Sequence, residues 1–333
     1  MILVTGATGH IGNVLVRRLL ELGEKVRVFI PPSEKVAPFD GLNIEIKVGD
    51  IRNYNDVDKA LKGIDYVFHL AGIISITPGK EKIMYDVNVR GTKNIVDASL
   101  ANNVKRLIYT SSIHAFPDLP KDKIIDEHIK IDPDKAVGEY GKTKALATLA
   151  IMDGIDKGLD AVVVCPTGVI GPYDYKKSEI AELISEYSKK RIGAYIRGAY
   201  DFVDVRDVVE GHVLAWKRGK KGEIYILSGE KITVKDLFSI LEKYTGIKAP
   251  KFHIPPTLAK LLSYLAIIYY EITRRKAVFT PYAIDVLMSN SNISSKKAQK
   301  ELGYKTRPIK ESIKDAIDWV LGKKNNGNVI LER

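Results

Sequence analysis

The chain has 333 residues, 45% hydrophobic and 28% charged, which is typical of a globular protein with one large domain or two unequal ones. Its 52 Lys and Arg against 41 Asp and Glu give a formal net charge of +11. The basic residues are scattered rather than interleaved with aromatic residues in one stripe, which argues against nucleic acid as a partner. Cys165 is the single cysteine, which excludes an intramolecular disulfide. It lies in an apolar run, which favours a buried thiol in a reducing compartment.

The N-terminal segment MILVTG enters a strand pattern at once, so we expect no export leader and a cytoplasmic protein. The uncharged core of the most apolar stretch, 261–270, is well short of the roughly 20 residues that span a bilayer, so no transmembrane segment is predicted. The six histidines form no metal-ligand pattern, and no metal is predicted.

Short β-branched runs alternate with helical patterns along the first two-thirds of the chain. The predicted strands are ILVT, KVRVFI, IEIKV, YVFHL, RLIYT and AVVVC, with helices up to Gly23, around 56–62, around 82–103 and after Gly138. This alternation predicts an α/β fold with a doubly wound parallel sheet. The nearly continuous apolar strands indicate that helices cover both faces of the sheet.

The first predicted strand leads into VTGATGHIGNVLVRRLL, with glycines at positions 6, 9 and 12. A glycine triplet between a strand and an amphipathic helix predicts a phosphate-binding loop. Gly6 would allow the tight turn, Gly9 the close approach of a pyrophosphate, and Gly12 the packing of helix on strand. The N–H groups at the helix N-terminus would bind the phosphates.

The segment EYGKTK at 139–144 places Tyr140 four residues before Lys144. Helix formers follow, so both side chains are expected on one helix face. The same spacing recurs at 173–177 and 244–248, but the first of these lies in a predicted loop and Gly246 interrupts the second. A cation beside a tyrosine, which titrates near 10, would stabilise the phenolate, and Tyr140 is therefore a candidate acid–base residue.

Motifs along nearly the whole chain resemble, in order, those of the extended short-chain dehydrogenase/reductase family, the NAD-dependent epimerases and dehydratases. They are TGATGHIG at 5–12, VGDIRN at 48–53, FHLAG at 68–72, DVNVRGTKNIVDA at 86–98, YTSSI at 109–113, YGKTK at 140–144, PTGVIGP at 166–172, FVDVRDVVEGH at 202–212 and KAQKELGYKTRPIKESIKDAIDW at 297–319. The most similar subgroup is the dihydroflavonol-4-reductase-like and 3β-hydroxysteroid-dehydrogenase-like reductases. The resemblance implies a Rossmann fold and NAD(P)-dependent oxidoreductase activity.

The resemblance also implies roles for individual residues. Ser112 would hold the substrate oxygen, Tyr140 would be the acid–base catalyst, and Lys144 would bind the nicotinamide ribose as well. Asn88 would be either a cofactor-side or a helix-bonding residue, and His114 would either face the substrate or be structural. The implied cofactor-binding residues are Gly6, Thr8, Gly9, His10, Ile11, Gly12, Asp50, Ile51, Leu70, Ala71, Gly72, Asn88, Tyr140, Lys144, Pro166 and Val169.

The second predicted strand ends in VRVFIPPSEK, without the acid typical of NAD enzymes or the basic residue typical of NADP enzymes. Pro31 stands where the similar reductases carry the basic residue. Ser33 and Lys35 are then the candidate donors to a 2′-phosphate, and Glu34 is the alternative partner of an unphosphorylated ribose. We predict a modest preference for NADP, with NAD as the alternative.

We predict an NAD(P)-binding Rossmann domain over 1–166, to which the chain returns at about 203–228. The segments 167–202 and 229–322 would form a smaller, mostly helical substrate-binding region, and 323–333 would be a frayed tail.

Three functions remain open. Ser112 is followed by Ile113 and His114 instead of the Asp-Glu pair of the family's dehydratases, which disfavours dehydration. A ketone or aldehyde reductase is favoured, a nucleotide-sugar epimerase is the alternative, and a non-catalytic dinucleotide sensor is disfavoured by the intact Ser-Tyr-Lys set. The expected partners are a small-molecule substrate and, in a homodimer, a second copy of the chain.

The apolar helix predicted at 258–272 favours an apolar substrate. It would be either a substrate lid or core packing, and the following Arg274, Arg275 and Lys276 make contact with a membrane interface a further alternative. Its apolar and aromatic residues are Leu261, Leu262, Tyr264, Leu265, Tyr269 and Tyr270.

Overall fold

A computed structural model of the chain describes residues 1–75, 79–273 and 279–323. The strands are β1 Ile2–Thr5, β2 Val26–Ile30, β3 Glu45–Val48, β4 Tyr66–His69, β5 Arg106–Thr110, β6 Ala161–Pro166, β7 Gly168–Ile170, β8 Ala194–Ile196, β9 Ala199–Asp204, β10 Ile224–Leu227, β11 Glu230–Thr233 and β12 Phe252–Ile254. The helices are α1 His10–Glu21, α2 Tyr54–Leu61, α3 Glu81–Tyr85, α4 Gly91–Ala101, α5 Gly138–Asp156, α6 Glu179–Ser188, α7 Val205–Arg218, α8 Val234–Thr245, α9 Pro256–Thr273, α10 Pro281–Met288, α11 Lys296–Leu302 and α12 Ile309–Val320.

Seven parallel strands form the main sheet, in the order β10-β6-β5-β4-β1-β2-β3. This confirms the predicted doubly wound parallel sheet. The strand order reverses between β1 and β4, and a sheet of this kind opens a ligand crevice at the carboxyl ends of the strands on either side of such a point.

Burial explains the sequence patterns of these strands. All six residues of β6, AVVVCP, are buried because helices cover both faces, and Cys165 is fully buried as expected. The edge strand β3, EIKV, is mostly exposed and carries charged residues. The helix α1 buries Val14, Leu15 and Leu19 against the sheet and leaves its polar face outside.

The second region begins after β6. Strands β7, β9 and β11 form a three-stranded sheet, β8 pairs with β12, and α6, α8 and α12 enclose a separate core around Ile184, Leu241 and Ile313. The chain then returns to the main sheet, where α7 packs on it and β10 pairs with β6. Residues 324–333 of the predicted tail lie outside the described residues.

A buried ion cluster ties the returning segment to α12. Arg206 donates to both carboxylate oxygens of Asp204, at 2.8 and 2.7 Å, and to Asp315 Oδ2 at 2.6 Å. Arg307 donates from its backbone and side chain to Asp207, at 2.7 and 3.0 Å. Because each charge has hydrogen-bonded partners, the cluster compensates the loss of hydration.

Candidate functional site

The glycine-rich loop after β1 makes a tight turn against the loop after β4. Gly6 has φ +68°, and a Cβ there would lie 2.6 Å from Ala71 N, while a Cβ on Gly12 would lie 2.3 Å from Gly6 O. Gly9 lines the adjacent cavity and is the N-cap of α1, where it offers no side-chain oxygen to the first helical N–H groups. These N–H groups can therefore bind an anionic ligand, and the loop fits a dinucleotide pyrophosphate.

A hydrogen-bonded chain fixes the loop that follows β4. Thr5 Oγ1 accepts from Ala71 N at 3.1 Å and bonds His69 Nδ1 at 2.8 Å. His69 Nε2 lies 2.9 Å from Thr92 Oγ1, whose own hydrogen goes to Asn88 O, so we assign the ring proton to Nε2. Burial is the main cause that lowers the pKa of His69 to about 3. The neutral histidine is a structural part of the site.

Asn88 connects the same loop to the helix that carries the predicted acid–base residue. Its Oδ1 accepts from Ile73 N at 2.7 Å, and its Nδ2 donates to Ile73 O and to Thr143 Oγ1, both at 3.0 Å. Of the two roles expected for Asn88, these contacts are those of a helix-bonding residue.

The predicted catalytic residues meet at one place although they come from different elements. Ser112 follows β5, Tyr140 and Lys144 lie in the first turns of α5, and all three are buried and line the same cavity. Lys144 Nζ donates to Thr110 O at 2.5 Å and lies 4.7 Å from the centroid of the Tyr109 ring.

Burial is the main cause of the pKa shifts of Tyr140 and Lys144. Burial raises the pKa of Tyr140 to about 12, a hydrogen bond with Ser112 lowers it in part, and the charge of Glu179 raises it further. Burial likewise lowers the pKa of Lys144 to about 7. At neutral pH Tyr140 is therefore protonated, and its hydroxyl carries a proton that it can donate.

The cavity has a volume of about 500 Å³. The predicted residues on its wall are Gly6, Gly9, His10, Ile11, Gly12, Leu70, Gly72, Ser112, Tyr140, Lys144, Pro166 and Val169. Much of the remaining wall is apolar and comes from the second region, including Ile180, Leu183, Phe202, Ile232, Leu237, Val286 and Leu287.

The other predicted cofactor residues lie off this wall. Asp50 lines a smaller pocket, and its carboxylate accepts from Arg52 Nε at 2.9 Å and Nη2 at 2.5 Å. Ile51 is buried against Gly91. The full set off the wall is Thr8, Ser33, Lys35, Asp50, Ile51, Ala71 and Asn88.

The loop after β2 leaves both predicted phosphate donors, Ser33 and Lys35, exposed. Glu34, the alternative ribose partner, instead pairs with Lys176 at 2.5 Å. This ion pair ties the loop after β2 to the loop after β7.

Neither of the two main expectations for the 258–272 helix holds for the four named residues whose side chains the structure describes. In α9, Leu261, Leu262, Tyr264 and Leu265 are exposed and do not line the cavity, so these four residues form neither a substrate wall nor core packing. Tyr269 and Tyr270 belong to the helix, but their side chains lie outside the described part of the structure. The four described residues face away from the protein, whereas Ala259 and Ser263 of the same helix are buried.

Three aromatic residues near Tyr140 complete the site. His114 lines the cavity, its Nε2 lies 2.8 Å from Tyr200 OH, and burial lowers its pKa to about 4. Tyr282, from α10, also lines the cavity, and its buried hydroxyl has no hydrogen-bond partner among the described residues. No sequence motif identified Tyr200 or Tyr282, because both come from the second region and reach the site only through the tertiary fold.

The described residues hold neither a metal-ligand cluster nor a membrane-spanning helix. Across 1–75, 79–273 and 279–323, no group of three or more His, Cys, Asp or Glu residues could hold a metal ion. Within the same ranges, no helix has the length and apolarity needed to cross a membrane.

Comparisons with known proteins agree with the geometry. The sequence model of the NAD dependent epimerase/dehydratase family matches residues 2–228. Sterol demethylase protein B of Methylococcus capsulatus is 35% identical over 319 residues, 95% of this chain and 97% of that protein. A putative dihydroflavonol 4-reductase of Synechocystis is 31% identical over 320 residues, 95% of this chain and 93% of that protein.

A solved structure agrees over nearly the whole chain. The crystal structure of gox2253 has a TM-score of 0.85 and 32% sequence identity, and the match covers 97% of this chain and 98% of that one. Together with the family match, this confirms the resemblance and the Rossmann fold. The chain belongs to the NAD-dependent epimerase/dehydratase family of extended short-chain dehydrogenases/reductases.

Proposed function

We propose that the protein is an NAD(P)-dependent oxidoreductase that transfers a hydride between the nicotinamide cofactor and a carbonyl or alcohol substrate, as ketone and aldehyde reductases do. The observation that carries this proposal is the convergence of Ser112, Tyr140 and Lys144 on the cavity that the glycine-rich loop also lines.

Each of the three residues has a separate role in the proposed reaction. A nicotinamide dinucleotide, when bound, supplies the hydride. Tyr140 donates a proton to the carbonyl oxygen, and Ser112 donates a hydrogen bond to the same oxygen. Lys144 binds the nicotinamide ribose. A tyrosine whose pKa is about 12 holds its proton at neutral pH, which suits the reductive direction.

The cavity wall favours an apolar substrate. Lys144 is the one cationic side chain, histidines aside, among the described residues that line the cavity, and Glu179 adds a carboxylate. A nucleotide diphosphate would gain little from such a wall, whereas the aliphatic and aromatic residues of the second region suit an apolar ketone. The name of one relative refers to a sterol, which is an apolar molecule of this kind.

A substrate screen tests the proposal. Purified protein is incubated with NADPH or NADH and a panel of small ketones, aldehydes, apolar polycyclic ketones and UDP-sugars. We expect oxidation of the reduced cofactor in step with product from an apolar carbonyl compound. An epimerase, the alternative that the family name supports, would copurify with NAD and interconvert UDP-hexoses without added nucleotide. That second result would replace the reductase proposal.

Lys144→Met should impair function without weakening the fold. We expect a lower kcat and a loss of cofactor affinity of about tenfold or more, the effect of one charge-assisted hydrogen bond.

Burial lowers the pKa of Lys144 from 10.5 to about 7, so the unfolded chain binds more protons between these pH values and stability rises with pH across this window. The lysine therefore costs stability at neutral pH. A lower Tm for the variant at pH 7 would contradict this account.

Lys35→Ala tests the proposed preference for NADP. If Ser33 and Lys35 bind the 2′-phosphate, the variant loses affinity for NADPH relative to NADH by roughly 1 to 3 kcal/mol, measured by titration of both cofactors. Lys47→Ala, which changes an exposed lysine on β3, is the matched control and should leave the ratio of the NADPH and NADH affinities unchanged. A wild-type preference for NADH, or the same ratio in Lys35→Ala as in wild type, would reject this phosphate site.

A further inference from the structure

The outer face of α9 is apolar, which reverses the usual pattern of a surface helix. Its inner face is buried at Ala259 and Ser263, and its outer face carries a stripe of large aliphatic residues that recur at helical spacing. They are Leu258, Leu261, Leu262, Leu265 and Ile272, which are 47%, 65%, 38%, 63% and 78% exposed. Leu258, Leu261, Leu262 and Leu265 follow each other at the i, i+3, i+4, i+7 spacing of one helix face, and an exposed apolar patch of this kind marks a binding surface.

Two exposed basic residues flank the strand pair β8 and β12 that leads into α9. Lys251 is exposed just before β12, and Phe252 beside it is 76% exposed. Strand β12 pairs in parallel with β8, so that the exposed Arg197, one residue past the pair Ile196 and Ile254, lies level with the start of α9. The margin of the surface at β8 and β12 therefore carries two exposed cations.

We propose that the surface formed by β12 and α9 binds an anionic lipid bilayer, with α9 lying in the plane of the interface. The aliphatic stripe would enter the acyl boundary while Lys251 and Arg197 meet lipid phosphates. A second copy of the chain is a poorer occupant because the net charge is +11 and two such margins would repel each other.

The fold connects this surface to the cavity. Helix α9 packs on α10 through a small apolar cluster that includes Ala259 and Ile284, and Lys260 pairs with Asp285 of α10 at 2.6 Å. Tyr282 of α10 lines the cavity. Attachment through α9 would therefore bring the side of the cavity that Tyr282 lines close to the bilayer, where apolar compounds dissolve. Binding to lipid does not depend on the reaction proposed above.

The test is co-sedimentation of the full chain with vesicles of phosphatidylcholine, with and without phosphatidylglycerol. We expect binding to the anionic vesicles that weakens at high salt. The double variant Leu261→Glu/Leu265→Glu should lose binding by about tenfold or more, since two large apolar groups no longer enter the interface. Ile124→Glu, which changes an exposed apolar residue between β5 and α5, is the matched control and should bind as wild type does.

Three results would overturn the proposal: no binding to anionic vesicles, equal binding by the double variant, or a wild-type dimer that the double variant converts to a monomer while neither form binds lipid. The last result, seen by light scattering, would assign the surface to a second copy. Circular dichroism and Tm verify that the double variant is folded, and the milder Leu261→Ser replaces it if it is not. Activity of all variants on a water-soluble carbonyl substrate separates a failure here from a failure of the proposed reaction.

Discussion

Tyr140→Phe is expected to lower kcat by about a hundred- to ten-thousand-fold, the range for loss of a positioned general acid. The substitution removes the hydroxyl that we propose donates the proton and keeps the ring. We therefore expect the Kd for the cofactor to stay within a few-fold of wild type. Steady-state kinetics and cofactor titration measure the two effects separately.

Tyr244→Phe is the matched control, because Tyr244 also precedes a lysine by four residues. In the structure α8 ends at Thr245, Gly246 follows with φ +73°, and Lys248 pairs with Glu242 at 2.9 Å. Neither Tyr244 nor Lys248 lines the cavity, so turnover should be unchanged. Near-wild-type turnover of Tyr140→Phe would remove Tyr140 from the proposed mechanism.

Arg206→Met is expected to reduce the free energy of unfolding by about 3 to 5 kcal/mol, because it leaves buried carboxylates without their partner. Asp204 and Arg206 are 2% and 5% exposed. Burial alone would raise the pKa of Asp204, but the hydrogen bonds and charge of Arg206 outweigh it and hold the pKa below its usual value. The ion pair therefore stabilises the fold above the usual aspartate pKa, and this contribution is lost as the pH falls below that value.

Denaturant unfolding at pH 7 and at acidic pH measures this effect. The difference in free energy of unfolding between wild type and Arg206→Met should become smaller on acidification. Protonation removes the negative charge of Asp204 that the Arg206 guanidinium compensates. Lys189→Met, which breaks the surface pair with Glu186 at 3.1 Å, should change stability by about 1 kcal/mol or less. Equal effects of the two substitutions would show that the buried cluster contributes no more than a surface pair.

The sequence alone determined the architecture of the main sheet and its helices. Apolar strand runs and intervening helices predicted the doubly wound sheet, and the three glycines predicted the turn at its switch point. These features follow from local constraints: strand periodicity, the positive φ of Gly6, and the absence of space for a Cβ at Gly12. The four-residue spacing of Tyr140 and Lys144, followed by helix formers, likewise sufficed to predict that both lie on one face of a helix.

The tertiary structure alone decided which residues of the second region reach the cavity and which way α9 faces. Helical periodicity predicts an apolar face but not whether a neighbour covers it, and in α9 the leucines face outward while Ala259 and Ser263 face the protein. Tyr200 and Tyr282 reach the cavity from elements far from Tyr140 in the chain. The pKa of about 12 at Tyr140 also depends on burial by these distant elements, because desolvation is set by everything packed around a group and not by its neighbours in sequence.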